Sequence, residues 1–155
     1  MSLSDFFANL FGVRRCESIE ALRRYIRRGD VQHLASWIDW RIVYTSDKSP
    51  GDEWKPADTS IKDGKGDCED KAVVAWEVIR SWPGWTAKLF YLRSADGRKA
   101  HAVCGAEDPY GRRIAVEGRR PYIYPHKTAW GHIFSDIGGW EKFWEVDTKG
   151  RRTDE

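Results

Sequence analysis

Between residues 17 and 40 the apolar positions fall three and four apart: Ile19, Leu22 and Ile26, then Leu34, Trp37, Ile38 and Trp40. This spacing predicts two amphipathic helices, about 17–28 and 31–40, with Gly29-Asp30 between them and the arginines turned outward. A shorter segment of the same period precedes them. Residues 3–11 set Leu3, Phe6, Phe7, Leu10 and Phe11 on one face, and Gly12 is a natural stop. Such a helix most often packs on its own domain; the sharper alternative is docking to a protein partner or a membrane surface. From Ala72 to Ile79 the run Ala-Val-Val-Ala-Trp-Glu-Val-Ile is apolar on nearly every side, which predicts a buried helix ending near Ser81, before Pro83-Gly84.

After residue 84 the period drops from 3.6 to 2. Residues 85–93, 98–106 and 111–117 read as strands, joined by turns at Ala95-Asp96-Gly97 and Asp108-Pro109-Tyr110-Gly111. The stretch 121–146 is aromatic and broken by glycines, and is expected to form short strands or loops closing over the sheet. Helices followed by an antiparallel meander make an α+β arrangement. The tail from Lys149 is polar and is expected to fray. Residues 44–66, with Asp47, Pro50-Gly51, Pro56, Gly64 and Gly66, read as an extended loop of a length that usually serves function.

That loop ends on Gly64-Lys65-Gly66-Asp67-Cys68-Glu69-Asp70. Asp67 is a good N-cap and Asp70 stands three residues on, as in a capping box. A cysteine in the first turn of the helix faces unpaired backbone N–H groups and the positive end of the helix dipole. Both favour the thiolate, which is the nucleophilic form.

Composition narrows the classes. A chain of 155 residues with 41% hydrophobic content makes one domain with a real core, here 1–155, and nine tryptophans give that core an aromatic character. The net charge of +2 is too balanced to indicate nucleic acid, and the recurrent arginine doublets read as solvated surface. Three cysteines, at 16, 68 and 104, have no CxxC spacing; they argue against a disulfide scaffold or a zinc site and for a reducing compartment. No apolar run is long enough to span a membrane. The N-terminus lacks the features of a signal peptide, so a cytoplasmic location is expected.

A cysteine nucleophile needs a base and a group to orient that base. His101 lies on the second strand, where alternation sets it with Val103 and Gly105 and turns Cys104 to the other face. Glu117 ends the third strand, and the hairpin brings it back beside His101. Asp108, at the far turn, is the fallback acid. Cys16 and Cys104 read as small buried residues, and His33, His126 and His132 have no metal-ligand spacing, so no metal or cofactor is expected.

The order Cys68, His101, acid, with the cysteine heading a buried helix and the others on following strands, resembles the transglutaminase-like superfamily, most nearly its bacterial cysteine-proteinase branch. The Gly-x-Gly-Asp-Cys-Glu-Asp signature is matched without a gap by Gly64 to Asp70, and a Trp-x-x-Pro element is matched by Trp54-Lys55-Pro56 with one residue fewer. The similarity covers residues 40–118. Two positions depart from it: Glu117-Gly118 stands where the family has aspartate and asparagine, and Lys71 where it often has an aromatic residue.

The resemblance implies a papain/transglutaminase-like fold and acyl transfer on amide bonds. The triad would be Cys68, His101 and Glu117, passing through a thioester on a protein or peptide substrate. Water as acceptor makes a peptidase or amidase, a lysine amine a transglutaminase. The oxyanion would be held by the Cys68 backbone N–H and a second donor from the 44–66 loop, for which Trp54 is the candidate; Asp67 joins it in the cleft. The rival class is a non-catalytic interaction module that keeps the fold, although such a module gains nothing from a reactive thiol.

Overall fold

The computed structural model describes Leu3 and residues 15–46, 54–118 and 120–153. Apart from Leu3, the amphipathic segment expected over 3–11 lies outside the described residues.

Helix α1 (Ile19–Tyr25) begins at Ser18, whose hydroxyl accepts from the Ala21 N–H at 3.1 Å, and ends at Ile26, which turns extended while staying buried. It is therefore shorter than the expected 17–28. Helix α2 (Val31–Arg41) is capped by Asp30 through the His33 N–H at 3.0 Å and buries Leu34, Trp37 and Ile38. Strand β1 (Val43–Tyr44) then pairs in parallel with β2 (Lys65–Gly66).

Between them the structure departs from the expected loop. Residues Ala57–Asp63 form helix α3, with Pro56 at its N-cap position and Ala57, Ser60 and Ile61 buried. Its apolar side chains amount to one i, i+4 pair, Ala57 and Ile61, which is too little for a period to register. Helix α4 (Cys68–Ile79) follows β2 and is buried as its apolar run predicts.

The sheet holds β3 (Thr86–Arg93), β4 (Ala100–Glu107), β5 (Arg112–Glu117), β6 (Arg120–His126) and β7 (Lys142–Val146), all antiparallel, in the order β6-β5-β4-β3-β7. Helix α4 covers one face, burying Leu89, Ala102, Cys104, Ala106, Ile114 and Val116 in the main core. A second core lies on the other face, where Phe90, Leu92, Val103 and Ala115 meet Ile133 and Phe134.

Ile133 and Phe134 belong to helix α5 (Trp130–Gly138), a correction to the expectation of strands or loops over 121–146. β6 tolerates Pro121 and Pro125 because it is an edge strand, which need not donate on its open side. The polar tail is not frayed as far as it is described. The Asp147 carboxylate accepts from the Lys149 and Arg151 N–H groups, and Arg152 bridges back to Val146.

Candidate active site

The α4 N-terminus is fixed by carboxylates before it offers any chemistry. Asp67 accepts from the Asp70 N–H at 3.3 Å and Asp70 from the Asp67 N–H at 3.1 Å, completing the capping box. Asp70 is 1% exposed and accepts also from the Lys55 N–H at 3.2 Å, with the Lys55 ammonium 3.7 Å away. Burial pushes the Asp70 carboxyl up, against these bonds. Only glycine fits at 66, since a Cβ there would lie 2.8 Å from both Cβ and Oδ2 of Asp70. One buried aspartate thus holds the 54–56 segment, the β2 end and the helix start together.

Cys68 is the first residue of α4 and is half-buried. Its side chain lines the same cleft as His101, close enough to act on the imidazole, and the Glu117 Oε1 stands 3.0 Å from the ring's Nε2. Burial disfavours the imidazolium, but the contact with Cys68 and the Glu117 carboxylate outweigh it and push His101 up to about 9. The ring is therefore a cation near neutrality. The Nε2–H does not line up on Oε1 as a hydrogen bond requires, and Oε2 is buried without a partner. Glu117 acts on His101 by charge more than by direction.

The register explains the meeting. Cys104 pairs with Val116, so Glu117 falls level with Val103, diagonal to His101 on the same face rather than directly opposite it. Cys104 points the other way, into the α4 core, where burial pushes its thiol up. Cys16 is buried as expected.

Cys68, His101 and Glu117 open on a cleft of ≈ 170 Å³, space for one side chain. Its floor is apolar and mostly small (Ala35, Ile38, Ala72, Ala102 and Val116), and Tyr44 and Lys71 stand at its rim. The Lys71 ammonium is 3.9 Å from Asp39 on α2. Burial first, and then the negative charges of Cys68, Asp67 and Glu69, push the Tyr44 phenol up, so it stays a hydrogen-bond donor.

Trp54 is not among the residues lining this cleft. It is 9% exposed, its indole packs against Gly150, and it faces a different hollow beside Pro56 and Val73. Asp67 is spent on the helix cap. Asp108 is committed elsewhere: it accepts from Tyr110 N–H (2.9 Å), Arg112 N–H (2.9 Å) and Arg112 Nε (2.6 Å). Seven residues of strand, about 23 Å, separate it from His101. His33 packs edge-on to Tyr25, His126 bonds the Tyr110 carbonyl oxygen and His132 is exposed; none reaches the cleft.

Sequence reasoning missed Trp140. Its indole stacks on the His101 ring with centroids 5.6 Å apart and planes 18° from parallel. The available sign was position: it follows two glycines directly after the apolar positions 130, 133, 134 and 137.

No family model matches the chain, and no curated protein matches it. Among solved structures it is similar over its length to Legionella pneumophila LapG, a bacterial transglutaminase-like cysteine proteinase. One LapG structure is 16% identical with a TM-score of 0.57, covering 99% of this chain and 89% of that one. The calcium-bound form is 18% identical at the same TM-score, covering 98% and 92%, and the EGTA-treated form 18% identical, covering 100% and 91%. At such identity the likeness is one of fold: N-terminal helices on a five-stranded antiparallel sheet, with a cysteine at the head of α4.

Proposed function

We propose that this protein is a thiol-dependent acyl-transfer enzyme, a cysteine peptidase or amidase, with Cys68 as nucleophile, His101 as acid and base, and Glu117 as the charge behind His101. The observation that carries it is the juxtaposition, in one cleft, of a half-exposed helix-head cysteine, an imidazole and a carboxylate 3.0 Å from that imidazole. A structural cysteine has no use for that arrangement, and the LapG-like fold supports the same chemistry.

In this reading the Cys68 Sγ thiolate attacks the amide carbonyl carbon and the C=O electron pair moves onto oxygen. The Cys68 backbone N–H, free at the helix start, donates to that oxyanion. Tyr44, at the rim and near enough to feel the Cys68 charge, replaces Trp54 as the second donor from the 44–66 region. As the intermediate collapses the C–N bond breaks, and His101 gives its proton to the leaving amine. Water then attacks the thioester, His101 takes the water's proton, and the C–S bond breaks to regenerate the thiolate. Glu117 keeps the imidazolium favourable throughout. Among the described residues no group of three or more His, Cys, Asp or Glu stands together as a metal site, and the Asp67 and Asp70 carboxylates are turned onto the α4 cap.

The test is digestion of a proteome-derived peptide library, with new N-termini read by mass spectrometry and hydroxylamine added to trap the thioester as a hydroxamate. Cleavage and hydroxamate in the wild type, both absent in Cys68→Ala, are expected. Identical products from the two proteins, with Cys68 alkylated by iodoacetamide at pH 6 no faster than free cysteine, would sink the reading.

A further inference from the structure

We propose that Trp140 is a positioning residue for His101: its indole holds the plane of the imidazole ring that Glu117 leaves undirected. The proposal rests on the catalytic reading of His101 and deepens it. Its premise is the orientation problem at that ring. An ion pair at 3.0 Å whose N–H is not aligned on the oxygen attracts the ring without fixing its rotation. A near-parallel indole 5.6 Å away leaves the ring one favourable plane, covers that face against water and favours its cationic form.

The fold holds this contact from several sides. Helix α5 is anchored by Ile133 and Phe134, both fully buried, with Trp130 and Ile137 packed around them. It ends on the left-handed Gly139: the Gly139 N–H bonds the Ser135 carbonyl at 2.7 Å and the Trp140 N–H reaches back to the Phe134 carbonyl at 3.2 Å. The next residue is pinned in turn, since the Glu141 N–H bonds the Arg93 carbonyl on β3. Trp140 is therefore fixed at the backbone both before and after its own position. Its indole folds back over Gly138, where a Cβ would stand 2.5 Å from Nε1 and 3.0 Å from Cδ1. Gly138 has ordinary backbone geometry, so its lack of a side chain is what makes room for the indole.

The titratable groups facing His101 are Cys68 on α4 and Glu117 on β5, with Lys71 of α4 and Tyr44 of β1 at the rim of the same cleft. Trp140 adds no charge to this set, so any effect of replacing it on His101 comes through the ring contact.

The experiment uses the full chain and three variants: Trp140→Phe, Trp140→Ala and Gly138→Ala. His101 is titrated by NMR on histidine-labelled protein, and the pH profile of Cys68 alkylation by iodoacetamide is followed by mass spectrometry. Losing a cation–π contact of the usual strength lowers the His101 pKa by about half to one and a half units in Trp140→Ala. Gly138→Ala shifts it the same way although the indole is still present, and Trp140→Phe restores most of the wild-type value. The alkylation profile moves with it. The proposal is overturned if His101 titrates as in the wild type in both Trp140→Ala and Gly138→Ala. It is overturned equally if Trp140→Phe shifts as far as Trp140→Ala, since an aromatic ring at that position would then do nothing for the imidazole. Should Trp140→Ala fail to fold, Gly138→Ala decides alone. The histidine titration needs no turnover, so a chain inert toward peptides still tests the role of Trp140, and the two readings fail separately.

Discussion

Replacing Glu117 by glutamine keeps the shape of the side chain and removes the charge 3.0 Å from His101 Nε2. Bare Coulomb attraction at that separation is about 1.4 kcal/mol in water and about 5.5 kcal/mol at an effective dielectric of 20, which brackets a site whose two side chains are 21% and 30% exposed. A close carboxylate shifts a pKa by about 1–3 units, so His101 should fall from about 9 to roughly 6–8. The consequence at pH 7 follows directly. A ring titrating at 9 is about 99% imidazolium there, and one titrating at 6 is about 10%. Catalysis should fall accordingly, and further to the extent that Glu117 also tilts the ring.

Stability carries the same information. The folded value lies above the ordinary 6.5, so ionised His101 stabilises the fold fully below pH 6.5, and that contribution disappears as the pH rises through about 9. In Glu117→Gln the window in which it disappears moves down with the pKa. Histidine NMR, assigned with His101→Gln among the four histidines, reads the first effect, and thermal unfolding between pH 6 and 10 the second. An unchanged His101 titration in Glu117→Gln would refute the argument, since it would mean that the carboxylate does not sustain the cation.

Asp108→Asn should leave His101 titrating as in the wild type while weakening the β4–β5 turn by about 1.5–3 kcal/mol, the worth of bonds to a charged group, as read by denaturant unfolding. Burial pushes this carboxyl up, but Arg112 and the backbone N–H groups hold it below its ordinary value, so the stabilisation is present above about pH 4 and lost as the pH falls further. Tyr44→Phe should lower kcat by about 10²-fold or more with little change in substrate affinity, the pattern of a lost oxyanion donor; an unchanged kcat would return the second donor to an unidentified group. Phe134→Ala, at a fully buried position between Phe90, Trp130 and Phe143, should cost about 3–5 kcal/mol in urea unfolding, and a loss under 1 kcal/mol would mean that the second core is not packed as described.

What the sequence disclosed was whatever a short-range pattern encodes. The helix at 31–41, the all-apolar α4 and the three alternating strands were legible because their periods run over several residues without a break. The capping box was legible because it is a local spacing. His101 and Glu117 could be brought together from the chain alone because antiparallel pairing is arithmetic, and the arithmetic erred only by the diagonal; Cys68, on a helix, joined them only through the family resemblance.

The failures have physical causes of two kinds. Helix α3 shows too few apolar positions to betray itself, because most of its surface faces solvent and its buried face is only Ala57, Ser60 and Ile61. Helix α5 did carry the pattern 130, 133, 134 and 137, but the prolines of β6 and the paired glycines after it made the region look irregular. Trp54 and Trp140 illustrate the second kind. Which of nine tryptophans reaches the cleft depends on tertiary paths, through Gly150 in one case and through the α5 cap in the other, and no local spacing records either.

The two cores divide the work of building one site. Cys68 is placed by the α4 core, and α4 comes close to β4 because the facing residues are small: Ala72 and Ala75 on the helix side, Ala102, Cys104 and Ala106 on the strand side. His101 and Glu117 stand on the other face of the sheet, with Leu92 and Val103, so the α4 core does not hold their side chains. On that side Trp140, thrown forward by the α5 cap, stacks on the His101 ring. The sheet is then the common frame. It carries His101 and Glu117 on one face and receives the helix of Cys68 on the other, and the three side chains line one cleft. A change that loosens α5 should disturb the histidine while leaving the cysteine's helix in place. A change that enlarges the small residues between α4 and β4 should move the cysteine and leave the histidine's ring where it is.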